Sequence, residues 1–262
     1  MRRHTFPQAG ATAFPAAAGR GPFDGTGTRT ARRPRPPAPA AALALALAAL
    51  WGPAAAQAIA PLSPEARAAM TGKSWRAGCP VGLDDLAAVE VAFVGFDGAE
   101  HGGTIVVHRQ LAAEVAAIFD ELRAAKFPMA TVAPWEDYGP RVYAERNVTT
   151  GFYCETAQDA PGEWSSHAYG YAIDLNPLLN PFRDPKAGWW PPGDGDNVAR
   201  DDAPGKVSPA SPAFAIFAAH GWAWGGFAEG DEDYMHFIKV AYGSDAGYPD
   251  RPYAATGLAY RP

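Results

Sequence analysis

The stretch Ser165–Asn176 reads S-S-H-A-Y-G-Y-A-I-D-L-N, with a histidine and an aspartate seven positions apart around one glycine. Seven extended residues separate two Cα atoms by about 23 Å, whereas two ligands of one zinc ion bring their donor atoms within roughly 3–4 Å. If His167 and Asp174 serve one ion, the chain must double back between them. Gly170 is the residue able to take the positive φ that this reversal needs. Past the turn, Ala172 and Asp174 share one strand face, the alanine leaving room beside the carboxylate, while Tyr171, Ile173 and Leu175 turn to the core.

A third ligand is expected from a neighbouring strand. Of the six histidines, His236 in D-E-D-Y-M-H-F-I is the best placed, because Met235 and Phe237 can anchor the opposite strand face. Two histidines and one carboxylate leave a zinc position for water, as in a hydrolytic site rather than a closed structural one. Asp233, three residues before His236, is the candidate base for that water. His101, His108 and His220 read as structural histidines satisfied by local partners.

Further out, composition divides the chain. Residues 1–58 hold seven arginines, no lysine and one acid, Asp24, and show neither helical nor strand period, the composition of a disordered leader. Within them Arg32-Arg33-Pro34-Arg35, the apolar run Ala40–Trp51 and the small-x-small site Ala56-Gln57-Ala58 follow the order of a secretory signal peptide. The run is too short to span a bilayer, so export to a periplasm, cell envelope or exterior is expected, with no stable membrane span after cleavage. Residues 59–262 then form one domain with 15 basic and 27 acidic side chains, a net charge of −12, which disfavours nucleic acid as a partner. A monomer is expected. Cys79 and Cys154, both in the exported part, are expected to pair.

The mature part reads as an α+β domain with a largely antiparallel sheet and helices packed on it. Ser63-Pro64-Glu65 opens a short helix. Val89, Val91 and Phe93 mark a strand, with Thr104–His108 its partner across a D-G-x-x-x-G-G connection. Leu111, Val115, Ile118, Phe119 and Leu122 share a helix face that ends before Phe127-Pro128. Phe152–Cys154, Tyr171–Leu175 and Tyr234–Val240 read as strands, Pro212–His220 as a helix stopped by Gly221, and 176–211 as a long surface loop. Trp222 and Trp224 lie on one strand face, as walls of the site or as core. Thr71-Gly72-Lys73-Ser74 lacks the first glycine of a phosphate-binding loop, which excludes that reading. Asn147-Val148-Thr149 is a glycosylation sequon.

S-x-H-x-x-G-x-A-x-D at 165–174, G-W-A-W-G-G at 221–226 and D-Y-M-H-F at 233–237 together resemble the M15 metallopeptidases, the D-alanyl-D-alanine carboxypeptidases and peptidoglycan endopeptidases. The resemblance runs from S-W-R-A-G-C-P at 74–80, through V-V-H at 106–108, to Phe237. It implies a hedgehog/D-Ala-D-Ala peptidase-like fold with a zinc site at the sheet, Zn2+ held by His167, Asp174 and His236, and Asp233 as catalytic base. It also implies peptidoglycan stem peptides as substrate, with Ser165, Arg146 and Trp224 as candidate substrate contacts. Two positions depart from the family's pattern. Glu155 stands where members often carry an arginine that holds the substrate carbonyl, a role for which Arg146 or Arg141 is the candidate replacement. Ile238 stands where the last motif often has an acid.

Overall fold

The strand Leu86–Val94, here β2, shows why the core forms where it does: Val89, Val91 and Phe93 alternate inward and are each at most 4% exposed. In the computed structural model, residues 58–157, 162–184, 186–192, 195–228 and 232–239 are described. The leader, with its apolar run, and Val240 lie outside them. The described residues belong to one compact unit, 51–262, and no helix among them is long and apolar enough to cross a membrane.

In chain order the strands are β1 (Ile59–Pro61), β2, β3 (Glu100–His108), β4 (Thr131–Val132), β5 (Val148–Thr149), β6 (Ala172–Asp174), β7 (Phe182–Asp184), β8 (Gly188–Trp190), β9 (Trp222–Trp224) and β10 (His236–Lys239). The α-helices are α1 (Pro64–Met70), α2 (Ala112–Ala124), α3 (Val142–Glu145), α4 (Gly195–Val198) and α5 (Pro212–Ala219). The architecture is mixed α+β, as expected, but the antiparallel strands do not form one central sheet. They form two three-stranded sheets, β1-β2-β3 and β6-β10-β9, with β4-β5 parallel and β7-β8 a small hairpin.

Both larger sheets feed one core. Val115, Ile118, Phe119 and Leu122 of α2 meet β2, and the same cluster takes in Tyr171, Ile173, Leu175, Phe217, Trp222, Trp224 and Phe237. Each fully buried side chain of this size stabilises the fold by about 1.5–3 kcal/mol. Stacking of Phe217 on Phe237 at 4.0 Å fastens α5 to β10. Ser63 and Ser211 cap α1 and α5 through their hydroxyls, each with a proline in the first turn.

Four expectations are corrected. The Gly102-Gly103 pair lies inside β3 and not in the connection, because β2 and β3 pair over nine residues. Phe152–Cys154 is extended but belongs to no strand, its N–H groups reaching Val106 and Ser74 carbonyls on separate segments. The last strand begins at His236, since Asp233 to Met235 form the turn into it. The segment 176–211 is no loose loop: it carries β7, β8 and α4, and Asn180, Arg200 and Lys206 tie it down through at least seven hydrogen bonds. Asn147 is likewise structural, buried and accepting from the Leu178 N–H, which removes the glycosylation reading.

Candidate metal and active site

Ser165 caps a 3-10 turn, Ser166–Tyr169, that carries His167, and Gly170 ends it in the left-handed region at φ 77°. A side chain at Gly170 would also meet the backbone of His108, 2.5 Å from its nitrogen. Glycine is therefore required twice, for the reversal and for the close approach that lets His108 N–H donate to the Gly170 carbonyl at 2.9 Å. The chain then enters β6, where Asp174 lies directly opposite His236 on β10. Backbone pairing thus brings together two ligands 62 positions apart in sequence.

The three donor atoms form a small triangle. His167 Nε2 is 3.1 Å from Asp174 Oδ1 and 3.0 Å from His236 Nδ1, and the latter two are 3.2 Å apart. Tetrahedral zinc with bonds of about 2.0–2.1 Å separates its ligand atoms by about 3.3–3.4 Å. His167 and Asp174 are buried and His236 is half-buried.

Outer partners orient each ligand. His167 Nδ1–H donates to the Gly151 carbonyl at 2.6 Å, which fixes the tautomer and turns an Nε2 lone pair inward. His236 Nε2 contacts the Ser166 hydroxyl at 3.0 Å, so its Nδ1 faces the triangle. Asp174 Oδ2 accepts from the Tyr153 and Tyr143 hydroxyls at 3.0 and 3.3 Å, leaving Oδ1 for the centre. Three electron-pair donors thus converge on one point, an arrangement that repels itself unless a cation lies between them, so the residues fit a zinc ion. Without an ion a proton does part of that work. Burial opposes charge on His167, but Asp174 and the Gly151 carbonyl outweigh it and raise the pKa. Burial likewise opposes charge on Asp174, yet the two histidines hold its carboxyl well below the usual range. Burial, then the Asp174 charge, drives both tyrosine hydroxyls far above their ordinary range, so they remain donors.

Asp233 is half-buried at the mouth of β10. Its N–H donates to Gly225 at 3.1 Å, it bridges to Phe182 of β7, and its charge reaches the Tyr143 hydroxyl beside Asp174. The candidate substrate contacts fare differently. Ser165 Oγ accepts from the His167 N–H at 3.3 Å and so serves as a cap. Arg146 and Arg141 are exposed at the two ends of α3. Trp224 is core, 3% exposed, its indole N–H donating to the Tyr234 carbonyl, and Trp222 is core as well. Cys79 and Cys154 are bonded to each other. His101 pairs with Asp97, His220 with Glu121, and His108 stacks on Tyr171.

Tyr143, Tyr153, Ser166 and Gly151 escaped the sequence reading. Ser166 adjoins the serine that was singled out, and Gly151 opens the extended segment ending at Cys154, but nothing in sequence marks Tyr143. Glu155 carries a shifted carboxyl. Burial raises its carboxyl, and the charges of His167, Asp174, His236 and Arg76 all reach it. Ile238 is buried opposite Ala172 on β6.

No curated protein and no solved structure matches the chain. Residues 158–239, which contain His167, Asp174, Asp233 and His236, match a family model of the M15 peptidases described as D-alanyl-D-alanine carboxypeptidase, and that family is what this part of the chain is similar to.

Proposed function

We propose that the protein is an exported zinc peptidase that hydrolyses peptide bonds in peptidoglycan stem peptides. The observation that carries this reading is the triangle of His167 Nε2, Asp174 Oδ1 and His236 Nδ1, each atom aimed by its own outer partner. Zinc held there would supply a polarised carbonyl and an acidified water. The chain's own residues do the rest. Gly151 and Ser166 hold the imidazoles in the ligating tautomers, Tyr143 and Tyr153 hold the carboxylate, and Asp233 accepts a proton from water and returns it to the leaving nitrogen. The built segment 176–211, through β7, braces the turn that carries Asp233.

The test is zinc content and cleavage of defined muropeptides by residues 59–262. Asp233→Asn is expected to keep its zinc and lose about 10²–10⁴-fold in kcat. A chain that binds no zinc, or a variant that cleaves as well as the parent, would refute the mechanism. Glu155 favours one alternative, since a carboxylate cannot stabilise an oxyanion where an arginine is common. On that reading the protein is a non-catalytic, zinc-containing cell-wall peptide-binding module, and the same digestion would leave the peptide intact but bound.

A further inference from the structure

Arg200, in the segment 176–211, engages all five of its N–H donors within that segment. Nε donates to the Val198 carbonyl at 3.3 Å, Nη1 to Asn180 Oδ1 at 2.8 Å and the Val207 carbonyl at 3.1 Å, and Nη2 to the Leu179 carbonyl at 3.1 Å and to that of Asn197. The edges of the guanidinium thus fix its plane. Its face meets Tyr234, with the guanidinium carbon 4.1 Å from the ring centroid in a cation–π contact. Burial lowers the Arg200 pKa only to about 10, so the group is a cation at neutral pH.

Tyr234 directly follows Asp233. Its ring also stacks with Trp189 of β8 at 5.2 Å and Trp224 of β9 at 5.9 Å. Its carbonyl accepts from the Trp224 indole at 2.9 Å, and its N–H donates to the Pro181 carbonyl at 3.3 Å. On the other side of Asp233, the Arg183 N–H donates to the Glu232 carbonyl at 2.7 Å. The turn is therefore gripped before and after Asp233, and the ring beside it is where the charged grip acts.

We propose that Arg200 is a positioning residue for hydrolysis: by clamping the Tyr234 ring it fixes the turn from which Asp233 reaches the water. The proposal rests on the hydrolytic reading above, with Asp233 as base. Arg200 itself touches neither substrate nor metal, since its donors are all taken. A base must lie within hydrogen-bond reach of the proton it accepts, and a misplacement of about 1 Å can cost about 10²-fold in rate. Lysine cannot replace the clamp, because an ammonium has three donors and no flat face to lay on the ring.

The experiment measures cleavage of a defined stem peptide by the zinc-loaded chain. Arg200→Lys is expected to lower kcat by about 10–100-fold, with zinc content unchanged and KM within about twofold. Tyr234→Leu, which removes the ring, should lose a similar factor, and Tyr234→Phe, which keeps it, should recover most of the loss. On an Asp233→Asn background Arg200→Lys should bring no further loss, whereas a residue that serves only the stability of the fold lowers both backgrounds alike. Equal losses on the two backgrounds, or an Arg200→Lys variant with the parent's kcat, overturn the proposal. If the parent cleaves no stem peptide, the hydrolytic reading fails by itself, and hydrogen exchange decides whether Arg200 holds the turn. The probes are the Asp233 amide, bonded to the Gly225 carbonyl, and the Val115 amide of α2, bonded to the Leu111 carbonyl. Faster exchange at Asp233 in Arg200→Lys and Tyr234→Leu, with Val115 unchanged, supports the clamp; no change at Asp233, or equal acceleration at both, overturns it.

Discussion

Strand β10 carries a polar cluster at each end, and the two are built on opposite principles. At one end Lys239 Nζ donates to Glu114 at 2.9 Å and to the His220 carbonyl, while the Trp222 indole donates to the other Glu114 oxygen at 2.6 Å. Donors there meet acceptors, charge meets charge, and the cluster closes on itself, joining α2, β9 and β10. At the other end His236, His167 and Asp174 present three acceptors to one another. A cluster that satisfies itself holds a fold together; one that aims like atoms at a common point is completed by a cation. Equal burial therefore does not imply equal role.

The comparison breaks most directly at Asp174. Asp174→Asn should abolish zinc retention and cleavage, and zinc should no longer raise its melting temperature, whereas the parent should gain about 4 kcal/mol at a thousandfold excess over Kd. If the variant still binds and is still stabilised by zinc, the triangle is not the metal site. Glu114→Ala should do the reverse, taking from buried Lys239 the carboxylate it donates to. Its cost is about 3 kcal/mol, roughly 6–12 °C of Tm for a chain of this size, with zinc affinity unchanged. A fall in zinc affinity there would mean the two ends of β10 are not independent.

Two smaller changes sharpen the contrast. Tyr153→Phe removes one of the two hydroxyls behind Asp174 and should weaken zinc about 10-fold, at the low end for an outer partner because Tyr143 remains; chelator competition would measure it. The smallest effect is expected at Glu136, buried with the Ser74 hydroxyl donating to it at 2.7 Å. Burial raises its carboxyl above the ordinary value of 4.5, against the Ser74 hydrogen bond. Because the folded state holds this proton more tightly, the stability it contributes is full below the unfolded pKa and is lost as pH rises through the folded one. Glu136→Gln should therefore gain in Tm relative to the parent between about pH 4 and pH 7. A constant difference across that range would refute the assignment.

How much of the molecule was legible in sequence follows from the range of the forces involved. The alternation in β2, the helical face of α2, the caps at Ser63 and Ser211 and the reversal at Gly170 are local, and periodicity or a single residue's backbone freedom reveals them. One central sheet was expected where the described residues form two three-stranded sheets and two smaller pairs, because strand periodicity tells which face is buried and not which strand lies alongside. The segment 176–211 looked like loop because proline, glycine and aspartate mask tertiary anchors such as Arg200, whose partners at Asn180 and Val207 are set only by folding. Trp224 carried the same ambiguity, since an aromatic ring on a strand suits a wall and a core equally.

His167, Asp174 and His236 could be named from the chain alone, because residue type, spacing and a required glycine restrict what a turn can bring together. Only the tertiary structure decided what surrounds them. The hydroxyls of Tyr143 and Tyr153, the Gly151 carbonyl and the contact of Ser166 with His236 join segments that no local pattern relates. Ligand identity is a property of side-chain chemistry and short-range geometry, whereas ligand orientation and charge environment come from through-space contacts fixed by packing of the whole core.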